Sequence, residues 1–179
     1  MITDIEIIET AKKIFDTVGQ KINVYKEIPA TLVLFYNNGK KLRISVDQLA
    51  TEHESNSGQE VAELMPKLRR RKTLAGIMFF SEGWSFKGTI GTSADAMAPE
   101  AKEDLAKIKR GEMHVEDSAF RQECLMTNIE TRTKHNLYLM REIVRDESGK
   151  RCMGDEHVTL TAFKAIGYTV KDCKALQEP

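Results

Sequence analysis

The sequence lacks an excess of charge of either sign, because 27 lysines and arginines balance 27 aspartates and glutamates among 179 residues. Zero net charge gives no global attraction to nucleic acid or to an anionic membrane. The sequence also lacks any apolar segment close to the ~20 residues that a membrane span requires. We therefore predict a protein that does not enter membranes and for which nucleic acid is a disfavoured partner.

Cysteine is scarce, and so are the motifs of catalysis and cofactor binding. Cys124, Cys152 and Cys173 are odd in number and widely spaced, without a CxxC pair or a metal-ligand spacing. Reduced thiols are typical of a cytoplasmic protein, and the acidic N-terminus lacks the basic stretch of a secretory signal. No phosphate loop and no Gly-x-Ser-x-Gly elbow occurs. We predict a cytoplasmic protein without a cofactor.

The most informative segment that is present is the apolar run Thr73–Phe86. It does not alternate apolar with polar residues, as a strand wetted on one face would. Gly76 and the Phe79-Phe80 pair disfavour a buried helix. The run therefore predicts an interior strand covered on both faces. It ends at Glu82 and Trp84, a carboxylate beside an aromatic side chain.

The segment before this run predicts a helix and a hairpin. Apolar residues at helical spacing over residues 3–18 follow a Thr-x-x-Glu capping box. The strands Thr31–Tyr36 and Lys40–Val46 flank an Asn-Gly turn, which as a two-residue type I′ turn places Phe35 opposite Leu42. A further helix is predicted over residues 58–71.

The segment after the run predicts a long excursion and more strands. Residues 87–119 form a long loop with a short helix at Pro99–Lys109, where proline occupies the first helical position. Strands are predicted at Phe120–Thr131 and His135–Arg145, and an edge strand at His157–Phe163.

These elements predict a two-layer α+β fold, in which helices cover one face of a mostly antiparallel sheet of about five strands. Residues 1–163 form one domain, and residues 164–179 form a C-terminal tail that frays.

The Ser-Glu-Gly-Trp step that ends at Trp84 resembles a group of uncharacterised bacterial and phage conserved proteins. In that group a helix, a hairpin, a helix and a strand ending in Ser-Glu-small-Trp follow in the same order. A later strand opens with Arg-x-Glu, which Arg121 and Glu123 match here. The resemblance covers residues 28–146, although Met113–Phe120 lacks the proline of the group's corresponding segment. It implies an α+β fold of bacterial or phage origin and no known activity.

Glu82, Trp84, Arg121 and Glu123 are the candidate ligand-binding residues. A carboxylate at a strand end beside an aromatic side chain is a common place for a ligand contact. The structural alternative is an ion pair in which Arg121 or Arg141 reaches Glu82 from a neighbouring strand. That alternative is the favoured one.

Two other stretches have the composition of a binding site. His114, Glu116 and Asp117 are possible metal ligands, but one histidine with two carboxylates in a loop is weak evidence. The only dense basic run is Arg69, Arg70, Arg71 and Lys72, which could grip phosphate. The competing interpretation is that these cations offset the dipole at a helix C-terminus. No aromatic residues are interleaved with them, as a single-strand binding platform would require.

The outer face of the interior strand and Leu32, Leu34 and Tyr36 are also apolar. Either the excursion at 87–119 or a second copy of the chain must cover them, so we predict a homodimer. With no catalytic constellation, the favoured function is a non-catalytic binding or assembly protein. The alternatives are an enzyme or small-ligand protein centred on Glu82, and a nucleic-acid accessory protein that uses Arg69–Lys72.

Overall fold

The computed structural model describes residues 1–86, 97–133 and 136–158. Within them the chain forms four α-helices and one six-stranded antiparallel sheet, which confirms an α+β fold with an antiparallel sheet. No helix in these ranges is long and apolar enough to cross a membrane. The elements in chain order are α1 (Asp4–Gln20), β1 (Thr31–Tyr36), β2 (Lys41–Ser45), α2 (Val46–Glu52), α3 (Ser57–Arg69), β3 (Leu74–Phe86), α4 (Pro99–Lys109), β4 (Arg121–Thr131), β5 (Asn136–Arg145) and β6 (Arg151–Val158).

The strand order is β2-β1-β3-β4-β5-β6, so β3 lies in the interior of the sheet as its uniform apolarity predicts. The described strands number six rather than about five. The last one begins at Arg151, earlier than the predicted His157, because a tight turn returns the chain immediately after β5. In that turn the Asp146 carboxylate accepts bonds from the amides of Ser148 and Lys150. The predicted tail at 164–179 lies outside the described residues.

Helices cover both faces of the sheet, so the prediction of helices on one face is wrong. Alternate residues of β1 belong to different cores. Val33 and Phe35 pack in a cluster with the apolar side of α1, which we call the α1 face. Leu32 and Leu34 pack in a second cluster with α3, which we call the α3 face. The sequence pattern could not separate these faces, because β1 and β3 are apolar on both sides.

The covering of Leu32 and Leu34 bears directly on the predicted homodimer. These two side chains are 0% and 3% exposed, and they pack with Met65 and Leu68 of α3. The chain itself therefore covers the apolar patch from which a second copy was inferred. The homodimer remains a prediction, but this patch no longer supports it.

The β1–β2 hairpin has a different register from the predicted one. Its loop contains three residues rather than two, and Gly39 alone has a positive φ, of 80°. The Gly39 amide donates to the Tyr36 carbonyl, and the Tyr36 amide donates to the Lys40 carbonyl, both at 2.9 Å. This is a turn followed by a left-handed residue in a bulge. Phe35 consequently lies opposite Lys41, and the whole of β2 changes face.

The excursion is anchored at the end of β3. The described part contains α4, which matches the predicted helix at Pro99–Lys109, and a short 3-10 turn at Val115–Asp117. Phe86, Met97 and Ala101 form a small separate core there. A hydrogen bond of 2.7 Å from the Ser118 hydroxyl to Asp104 ties the following loop to α4.

Candidate functional site

The four residues predicted around Glu82 do lie together on the α1 face. In the β3–β4 register, Trp84 lies opposite Glu123, and Glu82 is two residues before Trp84 on the same side of the strand. The Arg121 guanidinium lies 5.2 Å from the centre of the Trp84 ring, within the range of a cation–π contact. The pairing of two adjacent strands therefore assembles the whole predicted set.

The cation that pairs with Glu82 is Arg151 of β6, which sequence reasoning missed. Its Nη2 contacts Glu82 Oε1 and lies 3.0 Å from Glu123 Oε1. The two arginines proposed from the sequence are used elsewhere. Arg121 donates to the Glu116 carbonyl, and Arg141 lies 2.9 Å from an Asp16 carboxylate oxygen. No sequence pattern could identify Arg151, because the β5–β6 hairpin and the sheet order bring it to β3.

Arg151 also holds the α1–β1 connection against the sheet. Its Nη1 donates to the backbone carbonyls of Tyr25 at 3.1 Å and Lys26 at 2.8 Å. The Ile28 amide donates to Glu82 Oε2 at 3.0 Å. Both charged side chains are therefore bonded to the same stretch of connecting chain, which they fasten to the sheet.

The two carboxyl groups of this cluster have opposite pKa shifts. Burial raises the pKa of Glu82. The Arg151 guanidinium, the Ile28 amide and Glu123 together lower it by more than burial raises it, so the net pKa lies below the ordinary value of 4.5. Burial and the hydrogen bond to Glu82 raise the pKa of Glu123 above 4.5, despite Arg151. The two shifts indicate that Glu82 ionises at a lower pH than Glu123.

This geometry is that of a structural ion cluster. The side chains of Arg151, Glu82 and Glu123 are only 8%, 12% and 16% exposed. None of these three residues lines either of the two grooves described below. Partly buried charges need such partners, because an unpaired one is costly. Trp84, 41% exposed, and Arg121, which is also exposed, are the accessible members of the predicted set.

The metal-like stretch does not converge. His114 precedes the 3-10 turn, while Glu116 and Asp117 lie within it, and all three side chains are exposed. Across the ranges that the structure describes, no group of three or more His, Cys, Asp or Glu side chains is placed to hold a metal ion.

The basic run, by contrast, lines a groove of about 480 Å³. We call it the α3 groove. It lies between the C-terminal end of α3 and the sheet, at the opposite end of β3 from Glu82. The fold adds one more cation, Arg132, which follows β4. Its Nη1 donates to the Lys72 carbonyl at 2.7 Å. The residues that line the α3 groove are Leu68, Arg69, Arg70, Arg71, Lys72, Leu74, Ala75, Gly76, Ile77, Glu130, Thr131, Arg132 and Asn136.

The cations of the α3 groove are of two kinds. Arg69 forms a two-point ion pair with Glu130, at 2.8 and 2.5 Å. Arg70, Arg71 and Lys72 are exposed, and none has a side-chain partner among the described residues. The groove thus contains one cation neutralised by a carboxylate and four that are not, of which Arg132 is bonded to a backbone carbonyl.

Apart from its cations, Glu130 and Thr131, the α3 groove is lined by apolar residues and by Asn136. Leu74 and Ile77 contribute buried apolar side chains. Asn136, at the start of β5, also lines the groove, and its side-chain oxygen is buried without a hydrogen-bond partner in the described structure. This oxygen is fully buried, so it does not face the open space of the groove. The sequence did not indicate Asn136, because the packing of α3 against the sheet brings it beside the basic run.

Comparison with known proteins adds no relative: no family model, no curated protein and no solved structure matches this chain. The resemblance to a bacterial and phage group accordingly stays a prediction.

Proposed function

We propose that this chain is a non-catalytic binding protein and that its α3 groove takes a ligand bearing a phosphate group. The observation that carries the proposal is the set of three cations without partners, Arg70, Arg71 and Lys72, at the rim of a groove. Guanidinium groups match phosphate oxygens with two parallel hydrogen bonds, and lysine adds a compact positive charge. No nucleophile with an adjacent base lines the groove, which favours binding over catalysis.

The remaining lining narrows the class of ligand. A volume of about 480 Å³ is within the range of small-molecule sites. The apolar wall at Leu74 and Ile77 suits an uncharged ring or chain attached to the phosphate. A small phosphomonoester that carries such a ring or chain, of which a mononucleotide is representative, fits both the volume and the apolar wall.

The test is calorimetric titration with adenosine monophosphate, with adenosine and inorganic phosphate as partial ligands. The monophosphate binds more tightly than either part. Arg70→Ala combined with Arg71→Ala weakens it by roughly tenfold or more, since each bond to a charged group contributes about 1.5–3 kcal/mol. Lys67→Ala is the matched control, because this exposed lysine is on the same helix but does not line the groove.

Three outcomes contradict the proposal. Adenosine could bind as tightly as its monophosphate, the control could lose as much affinity as the double variant, or no probe could bind. If only a single-stranded oligonucleotide binds, with an affinity that falls steeply with salt, the groove serves a nucleic-acid accessory protein instead.

A further inference from the structure

A second groove, on the α1 face, has no role in the function proposed above. We call it the α1–β2 trough. Thr10, Lys13, Thr17 and Lys21 of α1 and the following turn form one wall, and Lys41 and Arg43 of β2 form the other. Its volume is about 580 Å³, and it continues into a cavity of about 250 Å³ that shares Val18, Tyr25 and Arg43 with it.

The hairpin register creates this trough. The three-residue loop places Arg43 opposite Val33 and Lys41 opposite Phe35. Both cations therefore lie on the α1 face, next to α1. With the two-residue turn expected from the sequence, the apolar residues of β2 would lie on the α1 face and Lys41 and Arg43 on the opposite face. The trough is therefore positively charged because the loop has one extra residue.

The trough is lined by cations and by no carboxylate, while a neighbouring groove that shares Thr10 and Lys41 with it contains Glu6 and Glu9. Lys13, Lys21, Lys41 and Arg43 line the trough, and no aspartate or glutamate lines either it or the adjoining cavity. None of these four cations pairs with a carboxylate of the described residues. Arg43 lies 5.4 Å from the centre of the Phe80 ring, which orients it without neutralising it. In a chain with equal numbers of acids and bases, this is a local excess of positive charge.

The trough also has apolar surface between its charged walls. Ile14 and Val18 of α1 and Val33 of β1 lie between the two rows of cations. Tyr25 is 44% exposed where the trough meets the smaller cavity. A ligand that fits must therefore carry several negative charges and also bury apolar groups.

The shape selects among anionic ligands. The wall from Thr10 to Lys21 is roughly 16 Å long, at a rise of ~1.5 Å per helical residue. An extended peptide of about five residues covers that distance, at ~3.3 Å per residue. Three of the four cations are lysines, which act as point charges rather than phosphate forks. Tyr25 is the only exposed aromatic side chain in the lining, whereas single-stranded nucleic acids stack on several.

We propose that the α1–β2 trough binds an extended acidic peptide segment of a partner protein. Its carboxylates pair with the lysines of α1 and with Lys41 and Arg43 of β2. Its aliphatic side chains pack on Ile14, Val18 and Val33 between those walls. The complementarity of charge along two facing rows gives the segment its direction and register.

The test is fluorescence anisotropy with a labelled peptide that alternates glutamate with leucine. The expected result is saturable binding that weakens as salt is added, because these ion pairs are exposed. Lys41→Glu combined with Arg43→Glu reduces the affinity at least tenfold. Lys40→Glu is the matched control, since this exposed lysine precedes β2 without lining the trough, and it changes the affinity less than twofold.

A second double variant, Lys13→Glu with Lys21→Glu, reverses the opposite wall and keeps the test decisive if the β2 variant fails to fold. It also reduces the affinity at least tenfold. The proposal is overturned if the acidic peptide does not bind or if both double variants bind it normally. It is also overturned if a lysine–leucine peptide binds equally well, or if an oligothymidylate of similar length is strongly preferred.

Discussion

The two ends of β3 each collect charged residues, but they use them differently. At the Glu82 end every carboxylate has a cation, and the Arg151, Glu82 and Glu123 side chains are buried or nearly so. At the other end Arg70, Arg71 and Lys72 face solvent beside a groove. Crowded charge in a sequence therefore does not by itself mark a site. The distinction lies in whether the fold supplies a partner for each charge.

The largest expected effect tests the first half of this comparison. Arg151→Met leaves Glu82 and Glu123 side by side without their cation, and it releases the bonds to the Tyr25 and Lys26 carbonyls. We expect a loss of about 3–5 kcal/mol in the free energy of unfolding, measured by urea denaturation. Arg145→Met is the control, because Arg145 is half exposed and lies 3.4 Å from Glu123. It costs less than about 1 kcal/mol. If Arg151→Met lowers the free energy of unfolding no more than Arg145→Met does, the structural role of the cluster is contradicted.

A smaller effect concerns the pH dependence of the same cluster. The raised pKa of Glu123 means that its contribution to stability is present below pH 4.5 and is lost as pH rises through its folded-state pKa. The Glu123→Gln variant has no ionisable group at this position. Its free energy of unfolding relative to the natural chain should therefore increase as pH rises from about 4.5 toward neutrality.

The lowered pKa of Glu82 has the opposite sign. Its contribution is present above pH 4.5 and is lost as pH falls through its folded-state pKa, so Glu82→Gln should reduce the loss of stability in acid. Thermal unfolding of both variants across this pH range measures the two slopes. Identical slopes in the two variants would contradict the opposite pKa shifts of Glu82 and Glu123.

The smallest expected effect tests the second half of the comparison. Replacing Arg70, Arg71 and Lys72 together with alanine should change the free energy of unfolding by no more than about 0.5 kcal/mol, as for surface positions without partners. If these cations instead offset the dipole of α3, each contributes about 0.3–1 kcal/mol and the triple variant is visibly less stable. Urea denaturation at low salt distinguishes the two.

Much of the fold was predictable where the signal is local. Thr3 and Glu6 form the expected capping box at the start of α1, and Pro99 begins α4 as a first-position proline should. The uniform apolarity of Leu74–Phe80 correctly indicated an interior strand. Each of these signals depends on neighbours within a few residues.

The candidate sites were predictable only in part. The sequence located Glu82, Trp84 and the basic run, because charge clusters and strand ends are visible in it. It could not identify Arg151 or Asn136, because each lies next to a segment far away in the chain, Arg151 beside Glu82 and Asn136 beside the basic run. The β2 wall of the α1–β2 trough was not predicted, because the face on which Lys41 and Arg43 lie depends on the number of residues in a single turn.

Local chemistry alone specifies which segments become helices and strands, because caps, prolines and hydrophobic spacing act over one or two turns. The faces of β1, the partner of Glu82 and the charge of both grooves depend instead on strand register and sheet order. A shift of one residue exchanges the two faces of a strand, and pairing energies are summed over segments far apart in the chain. Only the folded sheet therefore decides which charges are neutralised and which remain available to bind.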